Sequence, residues 1–220
     1  MTEAKVKKGG LLVISGFSGV GKGTVIRQLM ETFPEYAFSV SATTRPPRPG
    51  EVQGVDYFFI DPDTFEKWVG EGRFLEYARF FDKAYGTLAE HVEELRNQGK
   101  TVILDIEVEG ACHVMENCPD AVSVYIIPPS AEELSKRLTG RGTESPEQIR
   151  SRLEKAVREA DIIPRYHYIV VNDQVPETAA EIHHLAQGSG NTRLSRRKSM
   201  NLARRIQKDI QGILEQNPLL

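Results

Sequence analysis

Short apolar runs at 11–15, 37–40, 101–106, 121–127 and 168–171 alternate with stretches whose apolar residues recur at helical spacing. That alternation predicts an α/β fold on a parallel sheet. Several helix starts carry a capping-box pattern: Asp63-x-x-Glu66, Thr87-x-x-Glu90, Ser130-x-x-Glu133 and Ser145-Pro146-Glu147-Gln148. Gly99 stands at the C′ position expected to end the helix that opens at Thr87. Near the end of the chain Leu202, Ile206, Ile210 and Leu214 recur every fourth residue, with Ile213 alongside, as one apolar stripe on a basic helix. There is no internal repeat and no low-complexity segment.

At 220 residues the chain accommodates one core with inserted subdomains, or at most two small domains. Its 40% hydrophobic and 27% charged residues are ordinary for a globular protein. The first ten residues hold lysines but no apolar stretch of signal-peptide length, and no later run is long enough to span a bilayer. Cys112 and Cys118 lack a metal-ligand pattern and read as two reduced thiols. A cytoplasmic protein is expected.

The net charge of −3 is unevenly spread. Residues 189–220 hold seven basic side chains (Arg193, Arg196, Arg197, Lys198, Arg204, Arg205, Lys208) and two acidic ones (Asp209, Glu215), so they carry +5 and the rest −8. The asymmetry marks 189–220 as a separate appendage. Its apolar stripe is expected to pack against the core or a second subunit, as in a homo-oligomer. Contact with nucleic acid or an anionic surface is the alternative, weakened because no aromatics interleave the basic residues. Arg196-Arg197-Lys198-Ser199 also has the form of a protein-kinase target, a short motif that chance often produces.

The stretch 16–24 reads G-F-S-G-V-G-K-G-T, between an apolar strand-like run and a helical one. Strand, glycine-rich turn and helix are the setting a phosphate-binding loop needs. Gly16, Gly19 and Gly21 let successive N–H groups turn inward with no side chain in the way, and Lys22 can reach the terminal phosphates. Nucleoside triphosphate binding is therefore predicted. Gly23 stands where a Ser or Thr normally offers Mg²⁺ a hydroxyl, and Thr24 follows. This G-K-G-T ending resembles adenylate kinases, so metal contact is expected through water or shared with Thr24.

Further on, Ser41-Ala42-Thr43-Thr44-Arg45-Pro46-Pro47-Arg48-Pro49-Gly50-Glu51 precedes Gly54-Val55-Asp56-Tyr57-Phe58-Phe59. Three prolines stiffen the segment, and Arg45 and Arg48 are expected to project from it as phosphate clamps. With the loop at Gly16, this segment makes the chain, from about residue 10 to about 186, resemble the guanylate kinases, P-loop enzymes that phosphorylate GMP with ATP. The S-x-T-T-R-x-P-R-x-G-E pattern is nearly specific to that family. Matching pieces follow in order at Phe74-Leu75-Glu76-Tyr77-Ala78, Tyr85-Gly86-Thr87, Leu104-Asp105-Ile106, Pro128-Pro129-Ser130, Arg137-Leu138-Thr139-Gly140-Arg141-Gly142 and Ile169-Val170-Val171-Asn172-Asp173.

The resemblance implies a P-loop three-layer α/β fold with a five-stranded parallel core sheet, an inserted mixed α+β GMP-binding subdomain and a helical lid. The corresponding bounds are 1–188 for the whole domain (core 10–36, 100–129 and 163–188; subdomain 37–99; lid 130–162), with 189–220 as the basic tail. It implies ATP on Gly16, Ser18, Gly19, Val20, Gly21, Lys22, Gly23, Thr24 and Asn172. Around GMP it places Ser41, Arg45, Arg48, Glu51, Tyr57, Glu76, Tyr85, Thr87 and Asp105. Arg45, Arg48, Tyr57 and Tyr85 would hold the GMP phosphate, Glu76 would face the guanine N1–H and 2-amino group, and Ser41 and Thr87 would donate to O6. Taken singly, Glu76 and Tyr85 read as surface residues and Asp105 as a turn cap; a strand end is, however, where open α/β sheets place ligands. Lys22, Arg45, Arg137, Arg141, Arg152 and Asp105 are the expected catalytic group, and Mg²⁺ would sit near Thr24 and Asp105.

The implied activity is Mg-ATP-dependent phosphorylation of GMP to GDP, with dGMP as a second acceptor, in purine metabolism and GMP recycling. Two other readings stay open: a catalytically silent phosphopeptide-binding module of guanylate kinase type, and a kinase of ribose 1,5-bisphosphate. The intact loop and lid arginines argue against the first, and Glu76 with Thr87 against the second. Glu107, Glu109, Lys83-Ala84 and Gln174 depart from the family pattern without replacing any assigned catalytic residue.

Overall fold

The computed structural model describes residues 7–80, 82–140 and 145–217. The elements run β1 (Leu11–Gly16), α1 (Lys22–Thr32), β2 (Tyr36–Phe38), β3 (Ser41–Thr43), β4 (Phe58–Phe59), α2 (Pro62–Gly70), β5 (Phe74–Phe80), β6 (Lys83–Leu88) and α3 (Ala89–Asn97). They continue with β7 (Thr101–Asp105), α4 (Val108–Asn117), β8 (Val122–Ile127), α5 (Ala131–Thr139), α6 (Pro146–Glu159), a 3₁₀ turn (Ala160–Arg165), β9 (Tyr168–Val171), α7 (Val175–Ala186) and α8 (Arg196–Gln216). Five strands form a parallel sheet in the order β2-β7-β1-β8-β9, and four form a mixed sheet, β4-β3-β6-β5. All five apolar runs read from the sequence fall on strands of the parallel sheet. Leu11, Leu12, Val13 and Ile14 are all buried, as are Val124 to Ile127, because a strand covered on both faces is apolar at every position rather than every second one.

The chain divides into two compact units, one holding the described residues through Val13 with Pro34–Val122, the other Ile14–Phe33 with Ser123 onward. In the first unit, β3 pairs antiparallel with β6 and parallel with β4, and β5 pairs antiparallel with β6. The run expected as one strand at 37–40 ends earlier: β2 stops at Phe38, and β3 opens the second sheet at Ser41.

Two capping assignments are corrected. Asp61, not Asp63, caps α2: its side chain accepts from the Thr64 N–H, and Pro62 takes the first helical position, where its missing N–H is no loss. Thr87 lies on β6, and α3 opens after Leu88 with no side-chain cap. Ser130 and Ser145 do cap α5 and α6, the latter through a reciprocal box with Gln148. Gly99 follows the C-terminal cap of α3 with φ 82°, in the left-handed region that favours glycine.

The basic tail becomes α8, packed within the second unit on α5, α6, the 3₁₀ turn and β9. Ser199, Ala203, Ile206 and Ile210 form its buried face, with Leu202, Ile213 and Leu214 half-buried beside them. The apolar stripe is thus covered by the chain itself rather than displayed as an appendage. Arg196 caps carbonyls, donating to Tyr166 O at 2.8 Å, His167 O at 3.0 Å and Pro164 O at 2.6 Å. Arg193 pairs with Glu181 at 2.6 Å and Glu177 at 2.8 Å. Ser199 has no exposed surface, which removes it as a protein-kinase target.

Candidate active site

In the second unit β1 ends at Gly16, and a turn closed by Val20 N–H on Phe17 O at 2.9 Å leads into α1. Gly19 (φ 86°) and Gly21 (φ 93°) hold left-handed conformations that a side chain would strain. Gly21 is the N-cap of α1 and offers no capping side chain, and no acidic residue occupies the first turn. The first N–H groups of α1 thus have no side chain of the cap to satisfy them, the condition under which a helix start binds phosphate. Lys22 is the first residue of that helix and is half-buried, whereas Gly23 and Thr24 are exposed.

The loop is braced from two sides at one carbonyl. Val20 O accepts from Asn172 Nδ2 at 2.8 Å and from Arg137 Nη1 at 3.0 Å. Arg137 also donates to Asn172 O at 3.0 Å and, through Nε, to Glu133 Oε1 at 2.9 Å. Asn172 is only 2% exposed. Both residues, assigned from the sequence to ATP and to the catalytic group, shape the loop in this structure. Arg141 lies outside the described residues, and Arg152 is half-buried on α6.

In the first unit a cavity of about 330 Å³ is lined by Ser41, Tyr57, Glu76, Ala78, Tyr85, Gly86, Asp105, Ile106 and Glu107. Strand register explains much of it. Ser41 on β3 pairs with Thr87 on β6, and Thr87 with Glu76 on β5; two residues along, Thr43, Tyr85 and Ala78 form the next row but one. The register shifts between Phe74 and Glu76, and this bulge aims Glu76 onto the row of Thr87. Thr87 Oγ1 donates to Glu76 Oε1 at 2.6 Å, so the hydroxyl assigned to a helix cap instead orients a carboxylate. Glu76 is 8% exposed, and burial pushes its pKa above the usual carboxylate value, the Thr87 hydrogen bonds opposing that only in part.

Arg45 and Arg48 differ from the projecting pair expected. Arg45 folds back, donating through Nη1 and Nη2 to the two oxygens of Glu51 at 2.9 and 2.8 Å, with Nη1 also on Pro46 O at 2.8 Å. Its guanidinium lies 5.3 Å from the Tyr57 ring centre and 5.7 Å from that of Phe59. Glu51 further accepts from the Arg48 N–H at 2.7 Å, so it holds the segment rather than pointing into the cavity. Arg48 itself is exposed. Burial raises the Tyr57 phenol pKa, with neighbouring Tyr85 adding to the effect.

The Arg45 guanidinium and the Arg48 N–H lower the Glu51 pKa from the ordinary 4.5 to about 2. A carboxylate depressed by folding stabilises the fold fully above its ordinary value, and that contribution disappears as pH falls through the folded value. Thermal melting of the parent and Glu51→Gln should therefore show a gap at neutral pH that closes between pH 4.5 and about 2. A gap independent of pH across that window would contradict the pairing.

Sequence reasoning missed Ala78, Gly86, Ile106 and Glu107 as lining residues. Ala78 was within reach, since it stands two positions from Glu76 on one strand and shares its face. Gly86 is brought there by strand pairing, and Ile106 and Glu107 form the connection from β7 to α4.

A parallel α/β sheet with a glycine-rich strand-to-helix loop defines a P-loop nucleotide-binding protein, here with a polar, carboxylate-bearing cavity on an inserted sheet. The guanylate kinase family model matches residues 8–188, and the chain belongs to that family. A guanylate kinase of Clostridioides difficile (strain 630) is 44% identical over 195 residues, covering 89% of this chain and 95% of that protein. One of Oceanobacillus iheyensis is 42% identical over 210 residues, covering 95% and 97%. The crystal structure of guanylate kinase from Anaplasma phagocytophilum matches with a TM-score of 0.65 at 29% identity, over 97% of both chains.

Proposed function

We propose that this protein transfers the terminal phosphoryl group of ATP to GMP. The observation that carries the acceptor assignment is the buried Glu76 carboxylate, oriented by Thr87 at the wall of the 330 Å³ cavity. A carboxylate there can accept from both N1–H and the 2-amino group of guanine, donors that adenine lacks. Ser41, on the same row and lining the cavity, offers a hydroxyl to O6, since the Thr87 proton is already engaged. Arg45, preset by Glu51 and the Tyr57 ring, and Tyr57 with Tyr85 serve the acceptor phosphate; Arg48 joins them from the surface. Asp105 at the end of β7 faces the same cavity.

ATP binds the loop from Gly16 to Thr24, Lys22 neutralising its terminal phosphates. Phosphoryl transfer is chiefly positioning and neutralisation of spread negative charge, so no side chain need act as a general base. Arg152 and Arg141 are the remaining candidates for the transferring group, while Arg137 acts by bracing Val20.

Among the described residues no group of three or more His, Cys, Asp or Glu could hold a metal by itself. Mg²⁺ keeps several waters and is carried largely by substrate phosphates, so a single hydroxyl beside the phosphate loop fits it. Thr24, beside the phosphate loop, would supply the protein's share there, and the ion would neutralise charge on the transferring phosphates. Among the described residues no helix is long and apolar enough to cross a membrane.

The test is ADP formation from Mg-ATP with GMP, AMP or ribose 1,5-bisphosphate as acceptor. Fast turnover with GMP and almost none with AMP is expected. Turnover with the ribose compound alone would keep the fold and overturn the acceptor; nucleotide binding with no turnover would favour the silent module.

A further inference from the structure

Gly110 is the third residue of α4 and is buried. Apart from proline, glycine is the poorest helix former, so helix stability gives no reason for it in that first turn. The reason lies on β5. A Cβ built on Gly110 would stand 2.3 Å from Glu76 Oε2, 3.0 Å from its Cδ and 3.3 Å from its Cγ. The bare backbone of α4 is therefore the floor on which the carboxylate lies, while the Thr87 hydroxyl holds the other oxygen, Oε1, at 2.6 Å. Both contacts lie within the same compact unit.

We infer that Gly110 is a positioning residue for base selection: lacking a side chain, it sets the depth at which Glu76 presents its carboxylate to the acceptor. The inference rests on the guanine-reading role proposed for Glu76. The clash with an added methyl falls on the tip of a flexible side chain and not on backbone, so the chain can absorb Gly110→Ala by displacing the carboxylate. Relieving a 2.3 Å approach moves that carboxylate by about 1 Å, and misplacement of this size costs on the order of 10²-fold in a positioned reaction.

The experiment measures kcat/KM for GMP and for IMP, which keeps N1–H but lacks the 2-amino group, in the full chain. Gly110→Ala should lower kcat/KM for GMP by roughly 10- to 100-fold and for IMP by less, so that the ratio of the two falls. The KM for ATP should stay within about twofold, and the melting temperature should not drop, since alanine is the better helix former. In a Glu76→Ala background the same substitution should add no further loss, because a residue acting through Glu76 has nothing left to position. Calorimetric titration with GMP gives the same comparison where turnover is slow. An active enzyme whose GMP/IMP ratio ignores Gly110→Ala, or that loses an equal factor in both backgrounds, would overturn the seat alone. A parent chain that turned over no GMP would overturn the acceptor assignment and this inference together.

Discussion

Glu76→Gln is expected to abolish the preference for GMP, lowering its kcat/KM by about 10³- to 10⁴-fold while activity with AMP stays near its basal level. Glutamine keeps the shape of the side chain and can still accept from the Thr87 hydroxyl. Its amide, however, sets an N–H₂ against the guanine donors, leaving buried groups facing one another with no acceptor between them. Steady-state kinetics with both acceptors read the effect, and a GMP/AMP ratio within tenfold of the parent would refute it. Stability should move the other way. Burial raises the Glu76 pKa, so above its ordinary 4.5 the fold carries a buried charge at a cost that vanishes only when the group is protonated. The parent should therefore gain relative stability as pH falls through the raised value, and Glu76→Gln should melt higher than the parent at neutral pH. The KM for GMP should rise as pH falls through that range, because protonation removes an acceptor the base requires.

Lys22→Met is expected to lower kcat by about 10²- to 10³-fold, the usual loss when one fixed positive group is removed from a developing phosphate charge. Lys22 opens α1 directly after the left-handed Gly21, and methionine is an equally good helix former, so the loop and helix should persist. ATP affinity should fall much less than kcat, since the N–H groups of the loop remain in place. GMP affinity, measured without ATP, should be unchanged. Equal losses in kcat and in GMP binding would point to a disturbed fold and not to lost charge.

The fold class was legible in the apolar runs, since strands covered on both faces leave uninterrupted hydrophobic segments such as Leu11 to Ile14. The second sheet was harder to read. β3 and β4 have three and two residues, too few for a period of two to declare itself, and their pairing is with segments some forty and fifteen positions away. Capping patterns succeeded at Ser130 and Ser145 but failed at Thr87, because the same spacing suits a strand residue that happens to precede a helix. The tail's charge excess suggested separateness. Its buried face and the carbonyls taken by Arg196 became visible only once β9 and the 3₁₀ turn stood beside it.

By itself the sequence determined the phosphate loop, the α/β alternation and the list of polar residues suited to a phosphorylated guanine nucleotide, because local spacing and residue chemistry encode them. Tertiary structure alone decided how those residues are employed. It turned Arg45 back onto Glu51, set Asn172 and Arg137 to brace Val20, gave the Thr87 proton to Glu76 and placed Gly110 beneath it. Each of these depends on the distance between atoms remote in the chain. No pattern along the sequence specifies such distances until strand register and helix packing have brought the partners together.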